Sequence, residues 1–204
     1  MNQLLSRLSP SITNMIRLDH THVLSTFRQY EADAPARVKQ GLVDTVSVAL
    51  EIHTQLEEEI FYPALRAIAD TEALKKSVPE HDQMRQLIMR LRSMRPGDAT
   101  YDDTVFELMN VVMHHVADEE TLLLPAAERV LADRLSELGA EMTKRRMQLA
   151  VPRTGEFAGS MARSMSTGTL LVAAGTLLAG GYLMTRPAGK RLQWDRRGAP
   201  SPLR

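Results

Sequence analysis

The chain contains no cysteine. Disulfides, thiolate metal ligation and cysteine nucleophiles are therefore excluded, and a metal would have to take nitrogen and oxygen donors. Glycine is scarce: only Gly41, Gly97 and Gly139 precede residue 155. No β-rich alternating run appears either, and apolar positions recur at three and four, so the first 150 residues read as all-helical. Charge of one sign is not in excess, with 25 basic residues against 25 acidic ones. Net charge thus offers no argument for nucleic acid or for an acidic partner. Met1 to Arg7 lacks the continuous apolar core of a secretory signal, so the first 150 residues are expected to stay in the cytoplasm. At 204 residues there is room for one domain of ordinary size and an appendage.

What the chain does have is four amphipathic stripes separated by turn signals. Ser9-Pro10 opens the first, which reads Ile12, Ile16, His20, Val23, Phe27 and Tyr30. Asp33-Ala34-Pro35 breaks it and starts the second, Leu42, Val46, Leu50, His53, Glu57, Ile60 and Ala64. Ser77-Val78-Pro79-Glu80 predicts a capping box at the start of the third, which carries Val78, His81, Met84, Ile88 and Leu91. Pro96-Gly97 ends it. Thr100 precedes the acids Asp102 and Asp103, and the fourth stripe follows as Val105, Leu108, Val112, His115, Glu119, Leu122 and Ala126. Pro63 and Pro125 are expected to kink or end their helices, with helix beyond Pro125 running to about Lys144. The pattern predicts an up-down-up-down four-helix bundle over residues 1–150.

Two of the stripes contain one eleven-residue pattern, His53 to Pro63 and His115 to Pro125: histidine, three residues, Glu-Glu, four residues, proline. Four helical residues are about 400° of rotation, so His53 lies a turn from Glu57 on one face, and His115 likewise from Glu119. Each stripe is apolar except at His20, His53, His81 and His115 and at these two glutamates. Six buried polar groups would otherwise need six independent partners in a small core, whereas cations at its centre satisfy them together. The expected metal donors are His20, His53, Glu57, His81, His115 and Glu119. His114 with Asp118 repeats the spacing one residue out of register and is the alternative pair. His22 reads as a solvated histidine. Asp19 reads equally as an orienting partner behind a ligand and as a surface residue. Glu58, Glu59 and Glu120 read as an exposed acidic face, and Arg85 as an arginine reaching water.

Asp19-His20, His53-x3-Glu57-Glu58 ending in Phe61-Tyr62-Pro63, Glu80-His81, and His115-x3-Glu119-Glu120 ending in Leu123-Leu124-Pro125 together resemble the haemerythrin-like family, the His-His-Glu cation-binding domain, over roughly residues 8–145. The resemblance implies a non-haem di-iron centre: two iron ions bridged by Glu57 and Glu119 and capped by the four histidines. Oxygen-carrying members have a further histidine where this chain has Arg85. Two bridging carboxylates and four imidazoles fill eight of about twelve coordination positions on two six-coordinate ions, leaving room for a bridging oxide or hydroxide and for open positions. An open site implies binding or sensing of dioxygen, nitric oxide or peroxide. The alternatives are a di-iron enzyme (peroxidase, ferroxidase or iron-centre repair) and a metal-stabilised, membrane-tethered structural protein. Repair proteins of the family often carry cysteines, which this chain lacks. Manganese would accept the same donors.

After Val151-Pro152 the composition changes. Residues 151–163 read as a linker. Residues 164–185 carry no charge, and a helix of that length spans about 33 Å, enough for a bilayer core. Gly175 and Ala179 form a small-x3-small pair suited to close helix packing. The segment is a candidate transmembrane or membrane-associated helix that would anchor the bundle. A disordered extension or a self-associating helix is the alternative, because Gly, Ser and Thr dilute the apolar content. Residues 186–204 form a basic tail, and with both flanks basic the charges fix no orientation.

Overall fold

Ser11 opens the first helix, its hydroxyl accepting from the Asn14 amide at 3.2 Å. The structure, a computed structural model, describes residues 10–68 and 71–164, and among these it contains six helices and no strand. Helix α1 is Ile12–Phe27. Helix α2 runs Ala36–Leu56, widens into a π-helical turn at Glu57–Phe61 and resumes as Tyr62–Arg66. Helix α3 is Glu72–Ser93. Helix α4 repeats the design of α2: Tyr101–Asp118, a π-helical turn at Glu119–Leu123, then Leu124–Val130. Helices α5, Leu135–Ala150, and α6, Thr154–Ser164, follow single 3-10 turns at Ala132–Arg134 and Val151–Arg153.

Three expectations are corrected. Helix α3 starts earlier than the Ser77 capping box: Thr71 is the cap, its hydroxyl accepting from the Leu74 amide at 3.2 Å. Ser77 lies inside the helix and donates to the Ala73 carbonyl at 3.0 Å. Pro79 is tolerated there because it is exposed, so the hydrogen bond it cannot donate is missing on the side facing water. The helix beyond Pro125 does not continue to Lys144. It breaks after Val130, and α5 turns back to pack against α1 and α2. Finally, residues 151–163 are not a linker. They form a turn and α6, which packs along α2, with the Thr45 hydroxyl donating to the fully buried Ser160 at 3.1 Å and Arg163 pairing with Asp44 at 2.7 Å. The apolar run 164–185, Ser164 aside, and the tail 186–204 lie outside the described residues. Among the described residues no helix is long and apolar enough to cross a membrane.

The apolar core forms two clusters. One gathers Ile12, Ile16, Leu56, Phe61, Leu65, Leu74, Leu123 and Leu124. The other gathers Val23, Val46, Leu50, Met84, Ile88, Val105, Leu108 and Val112. Along α1 the chain passes from the first cluster to the second, with His20 between Ile16 and Val23. Along α3 it does the same, with His81 between Leu74 and Met84. In α4 the order reverses, with His115 and Glu119 at the crossing; α2 reverses too, though Val48 and Ile52 already reach the first cluster ahead of His53 and Glu57. Each of α1 to α4 thus changes cluster at or close to its polar residues.

Candidate metal centre

Two prolines shape the site. A proline has no amide hydrogen, and its ring clashes with the carbonyl four residues back. Neither Pro63 nor Pro125 ends its helix as expected. The turn before each widens instead, and the Tyr62 and Leu124 amides donate five residues back, to the carbonyls of Glu57 and Glu119. Such π turns cluster at functional sites, and here each begins at a glutamate of the centre. The widened turn also advances the register by one residue. In α4 the buried positions beyond Glu119 are Leu123, Leu124 and Ala127, while the expected Leu122 is 53% exposed. In α2 the same shift adds Phe61, Tyr62 and Leu65 to the core alongside Ile60 and Ala64.

All six expected donors are buried and converge. His20, His53, Glu57 and Glu119 each present one ligand atom, and these atoms lie within 4.8 Å of one another; Glu57, His81 and His115 form a second such group. Glu57 is common to both. Its Oε2 lies 3.2 Å from His53 Nε2 and 3.4 Å from His81 Nε2. The shifted pair is not brought in: His114 is exposed and its Nδ1 donates to the Asn110 carbonyl at 2.8 Å. His22 is exposed as well.

The outward nitrogens explain why the inward ones need a cation. His20 Nδ1 donates to Glu120 at 2.9 Å, His115 Nδ1 to Glu80 at 2.9 Å and His81 Nδ1 to Glu58 at 2.8 Å, and His53 Nδ1 faces Asp19 at 3.4 Å. The acid comes from α4 for α1, from α3 for α4, from α2 for α3 and from α1 for α2, a closed ring in which each helix orients its neighbour's imidazole. A neutral imidazole that donates through Nδ1 keeps a lone pair on Nε2. His81 Nε2 and His115 Nε2 are 3.1 Å apart, which would set two lone pairs against each other. His20 Nε2 and Glu119 Oε2 are also 3.1 Å apart yet make no hydrogen bond, and Glu57 Oε1 is likewise buried without a partner. Converging lone pairs and orphaned carboxylate oxygens are satisfied by divalent cations, and nitrogen with oxygen donors is a set such ions accept. The residues fit the group.

Protons are the competing occupants. Burial pushes the His115 imidazole down, but the carboxylates of Glu57, Glu80 and Glu119 outweigh it and raise it to about 10. Burial likewise works against the charged forms of His20 and His81, and nearby glutamates again win, raising both. Glu57 is held well below the usual carboxylate range, its burial overcome by the surrounding histidines.

Several functional residues escaped the sequence reading. Glu58 and Glu120 are not a free acidic face but orient His81 and His20, and Arg85 reaches Glu58 rather than only water. Arg17 supports Glu120 at 3.1 Å, and Arg146 grips both oxygens of Asp19 at 2.6 Å. Burial opposes the charge on Asp19 and Glu58, but their histidine and arginine partners hold both below the usual range. Tyr62 is the largest omission. Its hydroxyl donates to Glu119 at 2.9 Å and lies 3.3 Å from Glu57 and 3.2 Å from His81. Burial first, then the two glutamate charges, push its phenol well above the ordinary value, so it remains a donor. The one available signal was the mismatch between the two repeats, where Tyr62 stands opposite Leu124.

The model of the Hemerythrin HHE cation binding domain matches residues 11–127, more than half of the chain. The chain belongs to this family. Within the HHE domain so defined lie all six converging donors and the four acids behind them. The chain is 29% identical over 142 residues to the uncharacterized protein Rv2633c of Mycobacterium tuberculosis, covering 67% of this chain and 85% of that protein. It is 26% identical over 127 residues to a DNA nickase of Nostoc sp., where the match covers 62% of this chain but spans only 36% of the relative's length. The crystal structure of an HHE cation-binding protein from Mycobacterium kansasii, an Rv2633c homologue, superposes with a TM-score of 0.61 at 24% identity, covering 76% of this chain and 99% of that one. That likeness concerns the fold. Helices α5 and α6 lie beyond the matched HHE segment.

Proposed function

We propose that the chain is a non-haem di-iron protein that binds or senses a small ligand such as dioxygen, nitric oxide or peroxide. The donors sit at the waist of an up-down-up-down four-helix bundle, a reading supported by the alternating order in which α1 to α4 visit the two apolar clusters. The observation that carries the proposal is the pair of donor groups meeting at Glu57. His20, His53, Glu57 and Glu119 would hold one ion, and His81, His115 and Glu57 the other.

When bound, iron supplies coordination of the ligand and exchange of electrons with it. The chain's own residues do the rest. The outward acids fix each imidazole as an Nδ1–H tautomer and aim its Nε2 inward. The glutamates balance the charge of the cations. Tyr62 holds a proton on its hydroxyl within reach of both glutamates, a fixed donor in a dry site. The apolar clusters on either side exclude bulk water.

Anaerobic reconstitution with ferrous iron followed by metal analysis tests the reading. The expected result is two irons per chain, lost in the double variant Glu57→Ala, Glu119→Ala. Well under one iron or other transition metal per chain would sink it. Optical spectra of the reduced protein exposed to dioxygen, nitric oxide and peroxide then separate the classes. A stable adduct supports a binding or sensing role, and consumption of peroxide with turnover supports the enzyme reading. A segment at 164–185 that partitions with membranes in fractionated cells would add a tether to either.

A further inference from the structure

Helices α1, α2 and α5 line a partly open cavity of 150 Å³ that reaches the His53 ring. Val23, Ala49, Ile52 and Ala150 make its sides apolar. Its polar lining is the exposed His22 together with Asp19 and Arg146, and the last two already satisfy each other through two contacts of 2.6 Å. An ionic visitor would therefore find the carboxylate and the guanidinium of this wall already paired with each other. A cavity of about this volume with mainly apolar sides has room for small apolar guests such as xenon. His53 is the partition between this cavity and the centre: its Nδ1 faces Asp19 on the cavity wall, while its Nε2 lies 3.2 Å from Glu57. Two of the lining residues, Arg146 and Ala150, belong to α5, beyond residues 11–127 that the HHE model matches. By contrast, the wider cleft of 490 Å³ between α3 and α4 sets Glu80, Asp103 and Glu107 beside Phe106 and Val111, a more acidic and more open lining.

We propose that this cavity is the antechamber through which a small, uncharged, weakly polar molecule of the dioxygen or nitric oxide class reaches the metal donors. The inference rests on the proposed function for the identity of the guest but not for the existence of the chamber. Helix α5 then acts as one wall of the chamber, so that a segment past the matched residues 11–127 helps decide what approaches the centre.

Filling the chamber tests it. Ala49→Phe and Ala150→Leu are placed at two helices, so that one remains informative if the other perturbs folding. Asn110→Phe, in the exposed α3–α4 cleft, is the control. In the iron-loaded full chain, the filled variants should keep the iron content and spectrum of the parent. Their reaction with dioxygen or nitric oxide in stopped flow should slow by about tenfold or more, as expected where access sets the rate. The control should react as the parent does. Independently of metal, xenon NMR should detect a bound guest in the parent and lose it in Ala49→Phe. Unchanged rates in both filled variants at full iron content would overturn the proposal, as would the absence of a xenon site in the parent. If the parent takes up no iron, it is the functional reading that fails, and the xenon measurement still judges the chamber.

Discussion

Each imidazole of the centre has one nitrogen committed outward to a carboxylate and one aimed inward. The outward partners sit beside donors in the chain: Asp19 next to His20, Glu58 next to Glu57, Glu80 next to His81, Glu120 next to Glu119. Neighbours on a helix differ by about 100°, so an acid adjacent to an inward donor points at the next helix rather than at the core. Among the described residues an arginine braces each of Asp19, Glu58 and Glu120, whereas the basic side chain acting on Glu80 is Lys76. The hydrogen bond from His115 is the leading cause of its lowered pKa. Glu80→Gln keeps an acceptor for His115 but removes the charge that strengthens the imidazole as a donor to metal. Metal affinity should fall by about 10–100-fold with the fold intact, as measured by competition with a chelator. Tyr62→Phe makes a different cut. It removes one donor from buried Glu119, and the metal-free protein should lose about 1.5–3 kcal/mol in chemical denaturation. The six inward donors could be read from the stripes because burial of a polar residue breaks an apolar pattern. The acids behind them could not, because a solvated glutamate and an orienting one look alike until the neighbouring helix is in place.

At the scale of elements, the helices were legible from their period and the register beyond each Glu-Glu was not. A proline announces that something must give, but not whether the helix ends, bends or widens. Here it widens, since Phe61, Tyr62, Leu123 and Leu124 find buried places that way. The start of α3 was misplaced for a related reason: Ser77 and Glu80 have capping-box spacing, yet the residues before them carry Leu74, fully buried, which extends the helix back to Thr71. Gly139 shows how α5 is fitted. A glycine inside a helix is ordinarily improved by alanine. At Gly139, however, a Cβ would sit 2.1 Å from the Pro10 carbonyl oxygen and 3.1 Å from the Ile12 amide, both backbone atoms that cannot yield cheaply. Gly139→Ala should therefore destabilise, by about 1–3 kcal/mol, and lower the melting temperature seen by circular dichroism. A rise in melting temperature would mean that α5 does not seat against the start of α1.

For the molecule as a whole, the centre is a polar layer between two apolar clusters, and its charge state couples the fold to pH. His115 folded has a pKa of about 10 against an ordinary 6.5. A raised pKa means that folding takes up a proton: the stabilisation is complete below pH 6.5 and is lost as pH rises toward about 10. His20 and His81 shift in the same direction. Glu57 is depressed, so its contribution is present above about pH 4.5 and fades as pH falls below that. Without metal, the protein should be most stable in mildly acid solution and its melting temperature should drop between pH 6.5 and 10. Bound cations use the same lone pairs and must displace those protons, so metal affinity should rise with pH over this interval and loading should release protons. Melts of metal-free and metal-loaded protein at matched pH should therefore diverge as the solution becomes alkaline. If the two curves instead ran parallel from pH 6.5 to 10, the imidazoles would not be exchanging protons for metal, and the converging lone pairs would need another occupant.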